Sequence, residues 1–168
     1  MKITKKQINN WVTEAIQMVP DRMMQQMRHL VFVVDDRPTR QQVKSCQLKR
    51  GYALFGLYEG NEQTGKRKKT VAPDKISVFR RAIMEQFVRP SKVRQQIFKT
   101  VWHEIAHHFG ADETKAEKAE LRMFEKYVRQ QGLCGAQKRQ VRKKMKIRTG
   151  RNGYKRKSKI TYRVSRAS

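Results

Sequence analysis

Three of the four histidines in this 168-residue chain, His103, His107 and His108, fall within six positions, in the stretch WHEIAHHFGADE at residues 102–113. On a helix, His103 and His107 stand at i and i+4, so their imidazoles leave one face a turn apart. Two neutral imidazole nitrogens at that spacing can share one zinc ion at about 2.0–2.1 Å each. Glu104 lies beside the first histidine, where its carboxylate reaches a water at the metal without ligating the metal. A zinc on three protein ligands keeps a position for water and lowers its pKa to about 7. Glu104 then takes the proton as the water attacks a carbonyl carbon, and passes it to the leaving amine. The types and spacing predict zinc-dependent hydrolysis of peptide bonds, with Glu104 as general base.

The third ligand is sought downstream. Gly110 follows His107 by three residues and ends the helix by taking a left-handed conformation. A reversal there brings Asp112 or Glu113 back toward the metal. Spacing in the pattern His-Glu-x-x-His-x-x-Gly-x-x-ligand favours Glu113, with Asp112 as the rival. His108 points about 100° away from His107, which suits packing or support of a ligand better than ligation.

These side chains need a helix anchored on its other side. From Pro90 onward, Val93, Ile97, Val101, Ile105 and Phe109 form an apolar stripe distinct from the face of His103, Glu104 and His107. After Gly110 a second helix is expected, with Thr114 and Glu117 as a capping box and Leu121, Phe124 and Val128 buried, ending at Gly132. Upstream, Ile8, Trp11, Val12 and Ala15 predict an amphipathic helix capped by Thr4 and stopped at Pro20. LVFVV at 30–34 predicts a buried strand ended by the turn residues Asp35 and Asp36. Residues 52–58 predict a strand bent at Gly56, and 75–81 a third strand. Residues 39–49 suit a short helix or a loop, and RAIMEQFV a helical turn or a loop.

Composition bounds the rest. No run approaches the roughly 20 apolar residues of a membrane span, so no membrane partner is expected. The start, MKITKKQINNWV, lacks the apolar region of a secretory signal, which makes cytoplasm the expected location. Cys46 and Cys134 form no metal-ligand cluster and read as reduced. The formal net charge is +26, and residues 137–168 hold 14 Lys/Arg and no Asp/Glu. The chain therefore divides into a domain over 1–132 and a basic, flexible extension over 133–168. Such a field attracts polyanions. Lys143, Lys144, Arg151, Tyr154, Lys155, Arg156 and Lys157 are the candidate nucleic-acid-binding residues, with tyrosines placed among cations to stack on bases. Within the tail, Ile160, Tyr162 and Val164 alternate weakly, a pattern a hairpin would show.

Four segments, VFVVDDRP, ALFGLYEG, APDKISVFRR and VWHEIAHHFGADE, together resemble the minimal zincins, small bacterial metallopeptidase-like proteins. The resemblance runs from about residue 4 to residue 130 and leaves the tail out. It implies an α+β fold, with a small mixed β-sheet packed on an active-site helix and flanking helices. It also implies zinc at His103 and His107, Glu104 as general base, and an acidic third ligand at the position of Glu113. Zincins commonly bind an extended peptide along an edge strand beside the site, here 75–79 or 52–58. A peptide or protein substrate and a monomeric state are expected. The competing reading is a nucleic-acid- or ribosome-associated basic protein that uses the zincin core as a scaffold.

Overall fold

The computed structural model describes residues 3–48, 51–60, 73–130 and the backbone of 159–163. Four strands make one mixed sheet: β1 (Leu30–Asp35), β2 (Tyr52–Glu59), β3 (Asp74–Phe79) and β4 (Lys159–Arg163), in the order β1-β3-β2-β4. β1 runs parallel to β3, while β2 is antiparallel to both β3 and β4.

Position in the sheet decides burial. β3 has a strand on each side, and Ile76, Ser77, Val78 and Phe79 are all buried. β1 is an edge strand, and its apolar run is not buried as expected: only Val34 is, and Val31 is 45% exposed. β3 stops at Phe79, so Arg80 opens the helix α4 (Arg80–Gln86) instead of extending the strand. Asp36 explains the boundary, because its carboxylate accepts from Arg80 Nη2 at 3.0 Å and Arg81 Nε at 3.1 Å. The hydrogen-bonded Arg80 guanidinium holds Asp36 below the usual carboxylate range. Asp36 is thus a turn residue, as its place before Pro38 suggested.

The extension set apart at 133–168 contributes a strand of its own. Lys159–Arg163 pairs with β2, and the edge of β2 supplies the hydrogen-bonding partner that this stretch lacks in isolation. Gly132 and Cys134 lie outside the described residues.

Among the described residues there are six α-helices. α1 (Lys5–Gln17) is capped as expected, with Thr4 Oγ1 accepting from Gln7 N–H at 3.2 Å, and it buries Ile8, Trp11, Val12 and Ala15. The short α2 (Asp21–Met24) follows Pro20. α3 (Arg40–Ser45) makes the first part of the 39–49 segment a helix, which Thr39 and Gln42 open with a reciprocal capping box.

α5 (Pro90–His108) is the central element and packs against α1, α6 (Glu113–Gln130), β2 and β3. Pro90 sits at its start, where the missing N–H costs nothing. Val93, Ile97, Val101 and Ile105 are fully buried, each stabilising the fold by roughly 1.5–3 kcal/mol. Trp102 Nε1 donates to the Ala15 carbonyl at 3.1 Å and ties α5 to α1. Among the described residues, no helix is long and apolar enough to cross a membrane.

Candidate metal centre

α5 ends where the sequence suggested. Gly110 takes φ +77°, and its N–H donates to the His107 carbonyl at 2.9 Å. The chain then turns into α6, which starts at Glu113, so Thr114 lies inside the helix and is not the cap expected of it. Asp112 is its cap, and the carboxylate accepts the Lys115 N–H at 2.8 Å. That hydrogen bond holds Asp112 below the usual carboxylate range. With Asp112 so used, Glu113 is the acid that faces the histidines. Its Oε1 lies 3.4 Å from His103 Nε2, and its Oε2 lies 3.6 Å from His107 Nε2.

Among the described residues, His103, His107 and Glu113 form the one group whose ligand atoms could hold a metal, all within 4.8 Å of one another. The outer ring nitrogens fix how the histidines present themselves. His107 Nδ1 lies 2.8 Å from the Ala111 carbonyl, which can only accept, so Nδ1 carries the hydrogen. His103 Nδ1 lies 3.3 Å from Glu120 Oε2, a carboxylate that likewise accepts. In a neutral ring, each Nε2 is then a bare lone pair turned toward the other and toward Glu113. Both Nε2 atoms are buried without a hydrogen-bond partner, an arrangement costing about 1–3 kcal/mol per atom unless something binds there. Two imidazoles and a carboxylate are a zinc donor set, so these residues fit the metal.

The same groups can instead share a proton. Burial pulls His103 down, but Glu113 and Glu120 outweigh it and push it up to about 10. Burial, with the charge of His103, pushes His107 down to about 4. The cluster thus favours one positive charge held between the two rings and Glu113.

Glu104 is fully buried. Its Oε2 accepts the Tyr58 backbone N–H at 2.9 Å, while Oε1 is buried without a partner. Burial pushes its carboxyl up to about 8, against the pull of His103 and the Tyr58 N–H. The strand comes this close because residue 56 is glycine. A Cβ there would lie 2.5 Å from Thr100 Cγ2 and 2.9 Å from Glu104 Oε1.

His108 leaves the cluster, as its angle suggested. Its Nδ1 lies 3.2 Å from Asp74 Oδ2, the oxygen that also accepts from Tyr58 Oη at 2.9 Å. Tyr58 therefore holds Glu104 through its backbone and Asp74 through its ring. Sequence reasoning missed Tyr58 because a backbone donor leaves no mark on residue type. It also missed Glu120, for which there was a signal: Glu113 and Glu120 are seven apart and share one face of α6.

A family model described as zincin-like metallopeptidase matches residues 27–123. That span runs from just before β1 into α6 and takes in the whole of α5. The chain belongs to the zincin-like metallopeptidase family. Zincins are zinc-dependent peptidases, and the cluster of His103, His107 and Glu113 lies inside the matched span. No curated protein matches the chain. The tail candidates Lys143, Lys144, Arg151, Tyr154, Lys155, Arg156 and Lys157 lie beyond the zincin span and outside the described residues.

Proposed function

We propose that the protein is a zinc endopeptidase in which His103, His107 and Glu113 hold the metal and Glu104 is the general base. The observation that carries this reading is the pair of buried Nε2 lone pairs converging with the Glu113 carboxylate. Bound zinc supplies Lewis acidity, which acidifies water and polarises a carbonyl. The chain's own residues do the rest. Ala111 and Glu120 hold the two rings in the tautomer that ligates. Tyr58 N–H fixes one oxygen of Glu104 and leaves Oε1 to take the proton of the attacking water, then deliver it to the leaving amine. Burial pushes this carboxyl up to about 8 in the metal-free site, and a dication held beside it would favour the ionised form that accepts the proton.

The peptide is expected to lie along β2. Of the two strands considered for this role, β3 lies between β1 and β2, whereas β2 has only β3 beside it within the matched span and carries the residues that meet Glu104. The test is cleavage of a quenched-fluorescence peptide library by the zinc-loaded chain. Hydrolysis at internal bonds, abolished by a chelator and restored by zinc, is expected. A loaded protein that cleaves nothing in the library, even with Lys159–Arg163 unpaired from β2, would remove the assignment.

The charge of residues 137–168 favours a second reading, nucleic-acid or ribosome association through the tail. It expects RNA affinity to drop about 10³-fold or more between 50 and 200 mM salt if six or more phosphates are contacted. Salt-insensitive binding, or none, removes it. The two readings are compatible, with the tail bringing a peptidase to a polyanion.

A further inference from the structure

The strand that β2 pairs with on its outer side is not part of the matched zincin span. Residues 27–123 include β1, β2 and β3, and in that three-strand unit β2 is an edge. An edge strand presents a row of unpaired N–H and C=O groups, which is the template an extended peptide needs. Here β4 takes that template. It lies antiparallel to β2, with Arg163 opposite Tyr52, Tyr162 opposite Ala53, Thr161 opposite Leu54, Ile160 opposite Gly56 and Lys159 opposite Leu57. The register shifts between Leu54 and Gly56, which places the irregularity at the glycine that lies against Glu104.

β4 also reaches α5, the helix that carries the site. Its first residue lies opposite Leu57, one position from Tyr58, whose N–H is committed to Glu104. The tail strand therefore runs along the part of β2 that leads to the proposed base, in the place of an incoming peptide.

We infer that β4 is a built-in occupant of the peptide-docking edge, and that a peptide docks only on the fraction of chains in which Lys159–Arg163 has left β2. This rests on the proposal that β2 is the edge a substrate joins. Two strands cannot pair with one edge at once, so docking requires displacement of β4. The pairing is five residues long, short enough to be exchanged by a competing strand. Being attached to the chain, β4 competes at an effective concentration that a free peptide must overcome.

The probe is a fluorescein-labelled peptide of residues 157–165, read by anisotropy at high salt on the full zinc-loaded chain in a Glu104→Gln background. Ile160→Pro/Thr161→Pro releases the strand. Successive N–H groups point to opposite edges, so the pair removes one donor to β2 whichever residue supplies it. Ala53→Cys/Tyr162→Cys joins in-register partners and locks the strand when oxidised. The released chain is expected to bind the probe about tenfold tighter than the unlocked parent or better. The oxidised locked chain is expected not to bind, and to recover on reduction. Equal binding by parent and released chains, binding by the oxidised locked chain, or no binding by any form would overturn the inference. Tighter binding by the released chain, with no library peptide cleaved once Glu104 is restored, would uphold the docking edge and remove the peptidase assignment instead.

Discussion

Glu104→Gln is expected to leave zinc and fold in place and to cut peptide hydrolysis by about 10²–10⁴-fold. The two side chains are nearly isosteric, and the amide oxygen can still accept the Tyr58 N–H now bound at 2.9 Å. What is lost is the proton acceptor. Glutamine is also neutral, and burial already pushes the Glu104 carboxyl up to about 8, so the substitution should not lower stability. Zinc content, thermal unfolding and kcat/KM on one cleaved peptide separate these effects. Turnover at the wild-type rate would show that Glu104 is not the base.

Gly56→Ala is expected to damage both stability and turnover, although it adds a single methyl group. The new Cβ would sit 2.5 Å from Thr100 Cγ2 and 2.9 Å from Glu104 Oε1, closer than real contacts allow. Thr100 is fully buried in α5, so the strand and helix must separate or Glu104 must move. Overpacking of this kind costs about 1–3 kcal/mol, or a fall in Tm of about 2–12 °C for a domain this size. Adding Thr100→Ser removes the nearer obstacle and should restore much of the Tm. Activity should stay low, because the contact with Glu104 remains. Recovery of Tm and activity together would place the whole effect in the helix–strand packing.

What the sequence made legible follows local rules. The four-residue spacing from Val93 to Ile105 identified α5, the left-handed Gly110 fixed its end, and the i, i+4 pair put His103 and His107 on one face. Asp112 and Glu113 were harder to separate, because both lie in the turn. The deciding fact is the Lys115 N–H, which Asp112 caps, and helix starts are placed by sequence only to within a residue or two.

Other features depend on which strands meet. An apolar run such as LVFVV does not say whether it is central or at an edge, and β1 proved to be an edge. Gly56 looked like a bend, and its closeness to Glu104 exists only once β2 crosses α5. Lys159–Arg163 has little alternation of its own, and the edge of β2 is what makes it a strand.

The most direct test of the metal centre is zinc per chain by elemental analysis, on protein purified at high salt, for wild type, His107→Ala, Glu113→Ala and Asp112→Ala. About one zinc in the wild type is expected, lost from the His107 and Glu113 variants. The Asp112 variant should keep its zinc and lose only about 1 kcal/mol of helix-capping stability. Full zinc retention in His107→Ala, or no zinc in the wild type even after reconstitution, would contradict the site described here.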